Sequence, residues 1–175
     1  MPIQKSRRNQ SKDNTPSIKN RVDKATVCIV GLGYVGLPLI EAFAKRLKVI
    51  GYDINARRVA ELSQKFLSSG INFTSDPSKI MQADFTIICV PTPVTKMKEP
   101  DLSPVESAAL IVGRNLKRGS VVILESTVYP GVTEEIVGPI LEKESGLKCG
   151  RDFKIAYAPE RVNPGDTNHT IDKIT

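Results

Sequence analysis

A glycine-rich segment, Gly31-Leu32-Gly33-Tyr34-Val35-Gly36, lies between an apolar run and a stretch with helical spacing. Gly31 would allow a tight turn, Gly33 would let the backbone approach a pyrophosphate, and Gly36 would allow close packing of the helix on the strand. The N-terminus of the following helix would offer N–H groups and a positive dipole end to the phosphates. A glycine-rich turn without a ligand would look similar, but the strand–turn–helix context of the motif is also met here. The pattern predicts a dinucleotide site.

An acidic residue, Asp53, ends the next apolar run, 22 residues after Gly31. A carboxylate at this position accepts hydrogen bonds from the adenosine ribose hydroxyls and repels a 2′-phosphate, which favours NAD over NADP. The alternative is that Asp53 caps a helix in the tripeptide Asp53-Ile54-Asn55. Arg57 and Arg58 follow closely and act against the NAD preference, because arginine can hold a 2′-phosphate. The cofactor predicted on balance is NAD.

Three further polar segments follow apolar runs. They begin at Cys89 (Cys-Val-Pro-Thr-Pro), at Glu125 (Glu-Ser-Thr-Val-Tyr-Pro-Gly) and at Tyr157 (Tyr-Ala-Pro-Glu-Arg-Val-Asn-Pro-Gly-Asp). Prolines stiffen such turns, and hydroxyl, carboxylate and guanidinium groups here would stand over the cofactor crevice. Each segment by itself is also compatible with ordinary turn chemistry.

The elements that must position these residues alternate between strand and helix six times. Short apolar runs predict strands at 25–30, 48–52, 85–90, 121–124 and 154–158, and a further short strand is expected at 72–74. Helical spacing, as at 37–46, lies between most of them. This alternation predicts the α/β class, with a Rossmann-like doubly wound parallel sheet. Ligands bind beyond the carboxyl ends of the strands in such a sheet, and the unusual segments lie at those ends.

Helix starts are predicted from capping residues. Asn55 is expected to cap a helix that runs to about residue 65, and Asp76 a small helix with proline at its first position. Ser103 and Glu106 form a sequence that is typical of a capping box, which predicts a helix to about residue 115. Thr133 is expected to cap a helix with two glutamates in its first turn.

The net charge of +6 is concentrated at one end of the chain. Residues 1–24 hold seven basic and two acidic side chains, whereas the remainder holds 18 basic and 17 acidic ones. A nearly neutral remainder argues against a nucleic-acid partner, which the tail alone would suggest. The tail is expected to be disordered, because it has almost no apolar residues to bury. Neither a secretory signal nor a membrane-spanning run is recognised, so no membrane partner is expected and a cytoplasmic location is predicted.

The cysteine and histidine content predicts no metal site. Cys28, Cys89 and Cys149 are widely spaced, which fits neither a disulfide framework nor a zinc site. Cys28 and Cys89 lie in apolar runs and are expected to be buried. His169 is the only histidine, and its polar loop sequence favours a solvated side chain over a general base.

Taken together, the segments at the strand ends resemble the UDP-glucose/GDP-mannose dehydrogenase family. The sequences V-P-T-P, P-D-L-S-P, E-S-T-V-Y-P-G and P-E-R-V-N-P-G are most similar to the branch that oxidises UDP-N-acetylhexosamines, such as the UDP-N-acetylmannosamine dehydrogenases. The resemblance runs from about residue 25 to residue 175, which identifies 25–175 as an NAD-binding domain. Such enzymes oxidise a sugar C6 alcohol to a carboxylate with two NAD and one water.

The resemblance implies roles for individual residues. Cofactor-binding residues are Gly31, Gly33, Tyr34, Val35, Gly36, Asp53, Arg58, Pro91, Thr92 and Thr127, of which Thr92 and Thr127 would contact the nicotinamide half. Glu160, with Thr127, is implied as catalytic, because the family glutamate assists hydrolysis of a thioester intermediate. Glu160, Arg161 and Val162 are implied as substrate-binding.

Two departures from the family pattern shape these expectations. UDP-glucose dehydrogenases usually have a second glutamate four residues after the first, and Pro164 stands there, which favours the N-acetyl branch. The family's catalytic cysteine and substrate domain lie further along the chain than Thr175, so this sequence by itself is expected to be inactive. The resemblance also implies a homo-oligomer for the full-length protein and a nucleotide sugar as the substrate. The alternatives are a UDP-glucose or GDP-mannose 6-dehydrogenase and a non-catalytic NAD-binding module.

Overall fold

The computed structural model describes residues 24–94 and 98–159, which form one six-stranded parallel sheet with helices on both faces. The strands are β1 (Thr26–Val30), β2 (Lys48–Tyr52), β3 (Asn72–Thr74), β4 (Phe85–Ile88), β5 (Val121–Leu124) and β6 (Lys154–Tyr157). The helices are α1 (Gly36–Ala44), α2 (Ala56–Lys65), α3 (Ser103–Arg114) and α4 (Gly138–Ser145). A 3₁₀ helix spans Pro77–Gln82, and a π-helical segment, Val132–Val137, leads into α4.

The strand order is β3-β2-β1-β4-β5-β6, and every neighbouring pair is parallel. The chain therefore winds outward from β1 in one direction and from β4 in the other. The point where the direction reverses, between β1 and β4, is where a doubly wound sheet opens a crevice at its carboxyl edge. The predicted α/β Rossmann-like class is confirmed.

The two faces of the sheet bury separate apolar clusters. Val27 and Ile29 of β1 pack with side chains of α1 and α2 on one face, whereas Cys28 and Val30 pack with those of α3 and α4 on the other. Alternate residues of a strand point to opposite faces, so a strand covered on both sides must be apolar throughout. This explains the continuous apolar runs. Burial raises the pKa of the Cys28 thiol to about 12, so this cysteine is a neutral core residue, as expected.

Two of the four predicted caps are confirmed. The Asn55 side chain accepts hydrogen bonds from the backbone N–H groups of Arg57 and Arg58, and the Asp76 side chain accepts one from Ser78. The predicted helix at 37–46 is α1, which begins one residue earlier and ends at Ala44, and β4 ends at Ile88 rather than at residue 90.

The capping box predicted at Ser103 is wrong. Ser103 is already the first residue of α3, and its N–H donates to the Asp101 side chain, which thus takes the capping role two residues earlier than expected. The cap predicted at Thr133 is also wrong, because the helical segment begins at Val132, after Gly131 in a left-handed conformation at φ 97°. The predicted disordered tail, apart from Lys24, lies outside the described residues.

Candidate functional site

The glycine-rich turn connects β1 to α1 at the carboxyl edge of the sheet. Gly31 has φ +100°, a conformation that side chains rarely adopt, and its N–H donates to the Tyr52 carbonyl at 2.9 Å. A Cβ at Gly31 would lie 2.6 Å from the carbonyl oxygen of Cys89. Only glycine therefore allows the chain to turn this closely between the ends of β2 and β4.

The other two glycines of the motif differ in what surrounds them. A Cβ at Gly36 would overlap the carbonyl oxygen of Gly31, so this glycine lets the first turn of α1 pack directly on the turn that precedes it. A Cβ at Gly33 would meet no protein atom within 4 Å, because it would point into open space. The packing expected at Gly36 is confirmed, and the space at Gly33 fits a group that approaches the backbone from outside the protein.

Asp53 follows β2 and binds the glycine-rich turn directly. One carboxylate oxygen accepts a hydrogen bond from the Leu32 N–H at 2.8 Å, and the other accepts one from the Asn55 N–H at 2.8 Å. Arg58 completes the attachment, because its Nε donates to the Leu32 carbonyl at 3.2 Å. Both polar groups of the Leu32 backbone are thus held by residues that follow β2, which fixes the turn.

A large cleft of about 580 Å³ opens beside this turn. One wall is formed by Gly31, Leu32 and Gly33, while Asp53, just after β2, and Arg58 of α2 also line the cleft. The opposite wall comes from α3, whose lining residues are Ser103, Pro104, Ser107, Ala108 and Ile111. The volume and lining of the cleft suit a ligand with an anionic centre at the glycines and a hydroxylated group at Asp53.

The α3 wall was not anticipated from the sequence. Ala108 and Ile111 have the helical spacing of core residues, and that spacing alone does not separate a side chain in a core from one that lines a cleft. No pattern in the sequence marks Tyr52 as part of the cleft either. Burial, followed by the nearby Asp53 carboxylate, raises the pKa of the Tyr52 phenol, so the phenol stays protonated.

A small pocket of about 70 Å³ lies on the other side of the glycine-rich turn. It brings together residues from three predicted segments, namely Gly33, Tyr34, Val35, Cys89, Val90, Pro91, Thr92, Glu125, Ser126 and Thr127. Thr92 and Thr127, separated by 35 positions in the chain, thus line one pocket, as expected for residues at the ends of adjacent strands. Tyr34 is 71% exposed at its rim.

The segment after β6 lies mostly outside the described residues. The last ladder bond runs from the Ala158 N–H to the Leu124 carbonyl at 3.0 Å, which places the chain at the same carboxyl edge of the sheet. Glu160, Arg161, Val162 and His169 all lie beyond the described part, and their predicted roles stay predictions.

Two kinds of feature are absent from residues 24–94 and 98–159. No cluster of three or more histidine, cysteine or acidic side chains that could hold a metal ion occurs there. No helix in this part is long and apolar enough to cross a membrane.

Comparison with known proteins gives consistent matches. The model of the UDP-glucose/GDP-mannose dehydrogenase family, NAD binding domain, matches residues 25–69 and 64–174. Protein CapL of Staphylococcus aureus is 47% identical over 160 residues, covering 85% of this chain and 38% of that protein. The UDP-N-acetyl-D-glucosamine 6-dehydrogenase of Salmonella typhi is 44% identical over 165 residues, covering 87% and 39%.

A solved structure shows the same arrangement. The UDP-D-ManNAc dehydrogenase of Pyrococcus horikoshii superposes with a TM-score of 0.73 at 35% identity, covering 80% of this chain and 37% of that one. This chain thus spans less than two-fifths of the length of these relatives.

Proposed function

Since this chain belongs to the UDP-glucose/GDP-mannose dehydrogenase family, as its NAD-binding domain, we propose that it holds the NAD with which a nucleotide sugar is oxidised at C6. The substrate class we propose is a UDP-N-acetylhexosamine, and the product is the corresponding uronic acid, a precursor for cell-surface polysaccharide. When bound, NAD supplies the hydride acceptor for this oxidation.

The observation that carries the proposal is the joint geometry of Gly33, Asp53 and the large cleft. The open space at Gly33 lies at the N-terminal end of α1, where backbone N–H groups and the helix dipole favour a pyrophosphate. Asp53 lines the cleft on the β2 side, so its carboxylate can also accept hydrogen bonds from ribose hydroxyls. The adenosine half would therefore lie over β2, and the nicotinamide half over the ends of β4 and β5.

The same geometry supports NAD over NADP. A 2′-phosphate on the ribose would be placed beside the negative charge of Asp53, which disfavours it. Arg58 could offset this repulsion, but its Nε is bonded to the Leu32 carbonyl and its Nη1 lies 3.8 Å from Glu61. These contacts engage part of the Arg58 guanidinium, which still lines the cleft, and we take the Asp53 carboxylate as the charge that sets selectivity.

We assign the reacting end of the substrate to the carboxyl edge between β5 and β6. Thr127 lines the small pocket there, and the Ala158 ladder bond brings the chain to the same edge just before Glu160. Glu160 would accept a proton from the water that hydrolyses a thioester intermediate, whose thiol the longer protein would supply. Arg161 and Val162 would contact the nucleotide sugar. Thr127 would orient the reacting groups.

Two observations on the sequence favour the N-acetylhexosamine class. Pro164 stands where UDP-glucose dehydrogenases usually have a second glutamate, and the Salmonella typhi relative acts on UDP-N-acetyl-D-glucosamine by its name. A UDP-glucose or GDP-mannose 6-dehydrogenase is the second candidate. A non-catalytic NAD module is less well supported, since cofactor binding alone does not require the Pro-Glu-Arg-Val segment.

We also propose a cytoplasmic location and a homo-oligomeric assembly for the complete protein.

A domain exchange tests the proposed reaction. This chain would replace the matching 165 residues of the Salmonella typhi enzyme, and NADH formation would be followed with UDP-N-acetylglucosamine, UDP-glucose and GDP-mannose. We expect oxidation of the UDP-N-acetylhexosamine with NAD and much weaker oxidation with NADP. A folded chimera that binds NAD but oxidises none of the three sugars would contradict the proposal.

The role of Glu160 is tested in the same chimera. Glu160→Gln removes the charge and keeps the shape, so an initial release of NADH should be followed by a covalent acyl-enzyme that mass spectrometry detects. General acid–base help of this kind contributes about 10² to 10⁴ in rate. Glu41→Gln, on the exposed surface of α1, is the matched control and should behave as the unaltered chimera. Normal turnover of Glu160→Gln would show that Glu160 has another role.

A further inference from the structure

The ends of β4 and β5 are joined beyond the last bond of their ladder. The regular ladder closes with the hydrogen bond from the Glu125 N–H to the Ile88 carbonyl at 2.9 Å. Two residues beyond Ile88, the last residue of β4, the carbonyl oxygen of Val90 accepts a hydrogen bond from the Ser126 hydroxyl at 2.7 Å. Ser126 is only 4% exposed, so water cannot readily replace this bond. A buried side chain thus continues the pairing where the backbone stops.

The position of this bond matters because the backbone ladder between β4 and β5 ends just before it. Val90 precedes Pro91, which has no N–H to give to a neighbouring strand and restricts the conformation of Val90. The Val90 carbonyl therefore depends on the Ser126 hydroxyl for its attachment to β5. Thr127 follows Ser126 directly, Thr92 follows Val90 by two residues, and both threonines line the small pocket.

We propose that Ser126 is a positioning residue, which keeps the β4-end and β5-end loops aligned so that the small pocket is formed before the nicotinamide enters. The inference rests on the proposed function, since the nicotinamide half is assigned to this pocket there. Ser126 lines the small pocket itself and acts on it also through Val90, Thr92 and Thr127. Its effect should be larger for the nicotinamide half, because Thr92, Ser126 and Thr127 line only the small pocket, whereas Val90 lines both cavities.

The chain contains a control at the other end of β5. Ser120 immediately precedes β5, is 2% exposed, and its hydroxyl donates to the Lys117 carbonyl at 2.6 Å. Ser120 and Ser126 are therefore two buried serines whose hydroxyls each donate to a backbone carbonyl, although the Ser120 bond spans 3 positions and the Ser126 bond spans 36. Each loses one buried hydrogen bond on replacement by alanine, but only Ser126 lies at the cofactor edge.

The experiment measures the binding of NAD and of ADP-ribose, which lacks the nicotinamide, to the 175-residue chain by calorimetry. Ser126→Ala should weaken NAD binding by about three- to tenfold, which corresponds to one lost hydrogen bond, and weaken ADP-ribose binding clearly less. Ser120→Ala should leave both affinities unchanged. Ser126→Cys, which keeps a side chain of similar shape with a much weaker donor, should reproduce the selective loss if the alanine variant unfolds.

Different failures have different meanings. Equal weakening of NAD and ADP-ribose by the Ser126 variants, or no weakening of either, would overturn the positioning role while the cofactor site stands. If the unaltered chain bound neither ligand, the proposed cofactor site itself would be refuted.

Discussion

The Asp53 carboxylate accepts a hydrogen bond from the Leu32 N–H at 2.8 Å, across 21 positions of sequence. This bond ties the end of β2 to the middle of the glycine-rich turn. A residue that the sequence suggested only as a ribose ligand or a helix cap therefore also holds the turn to which the cofactor pyrophosphate would bind. Asp53 acts on the turn before any ligand arrives, which lowers the conformational cost of binding.

Replacement of Asp53 by alanine should reduce both stability and cofactor affinity. Two backbone N–H groups, those of Leu32 and Asn55, lose their acceptor, so the free energy of unfolding should fall by about 1 to 2 kcal/mol. Binding of NAD should weaken by about 1 to 3 kcal/mol, because ribose hydroxyls also lose their partner. Denaturant titration and calorimetry would measure the two effects, with NADP titrated alongside.

Asp76→Ala is the control for Asp53→Ala. Asp76 also follows a strand and caps a short helix through the Ser78 N–H, but it is absent from the lining of the large cleft. It should lose stability to a similar extent with unchanged NAD affinity. NADP binding to the unaltered chain as tight as that of NAD would contradict the selectivity assigned to Asp53.

Gly33 and Gly36 should respond in opposite ways to alanine. Gly36→Ala should lower Tm by roughly 3 to 10 °C, because the new Cβ would overlap the Gly31 carbonyl oxygen and force the backbone apart. Gly33→Ala should leave Tm within about 2 °C, since its Cβ meets no protein atom, yet weaken NAD binding more than about tenfold by occupying the space of the pyrophosphate.

Thermal unfolding with and without NAD measures both variants. The ligand-induced rise in Tm should be clearly smaller for Gly33→Ala than for the unaltered chain, because ligand stabilisation depends on affinity. A Gly33→Ala chain that binds NAD normally would mean that the phosphates lie elsewhere.

The strands were the most predictable part of the fold. β2 and β5 begin and end at the predicted residues, because a strand that is covered on both faces leaves an apolar run bounded by polar ones. β3 also matches its predicted bounds, although it is an edge strand with the sequence Asn-Phe-Thr. The membership of the cofactor site was also predictable in outline, since parallel strands end at one edge. Thr92 and Thr127 consequently share a pocket although no local pattern links them.

Contacts that depend on the geometry of loops could not be predicted. The bond from Ser126 to Val90 spans 36 positions and requires knowledge of how two loops diverge. The capping errors have a similar cause, because several nearby polar side chains compete for the same N–H groups. At α3 the competing acceptor is the Asp101 carboxylate, which accepts a hydrogen bond from the Ser103 N–H at 3.0 Å. Ser103 is accordingly the first residue of the helix and not its cap.

The corrected cap of α3 gives a direct test. Asp101→Ala should lower the free energy of unfolding by about 1 kcal/mol, the usual cost of losing a capping side chain. Ser103→Ala should change it by less than about 0.5 kcal/mol, because the hydroxyl of this residue is not the cap. Chemical denaturation of both variants would decide between them, and a larger loss for Ser103→Ala would restore the capping-box interpretation.

Asp152 should make the stability of the domain sensitive to acid. Its buried carboxylate accepts hydrogen bonds from Arg151 at 2.8 Å and from the Lys148 N–H at 3.0 Å, and it also pairs with Arg118. The Arg151 guanidinium, followed by the Lys148 N–H, holds the pKa of this carboxyl well below its usual range. The ionised form is therefore favoured in the folded chain relative to the unfolded chain.

The direction of the pH effect follows from this depressed pKa. The stabilisation by Asp152 is fully present above the pKa of an unfolded aspartate, about 3.9, and is lost as the pH falls below it toward the folded value. The Asp152→Asn variant should have a lower free energy of unfolding than the unaltered chain at neutral pH. The difference between the two proteins should shrink as the pH falls below about 4, because asparagine does not ionise. Denaturant titrations at a series of pH values would give both curves. NAD affinity at neutral pH should be unchanged, because Asp152 precedes β6 at the edge opposite the cleft. Parallel stability curves for the two proteins would show that Asp152 is not a source of the acid sensitivity.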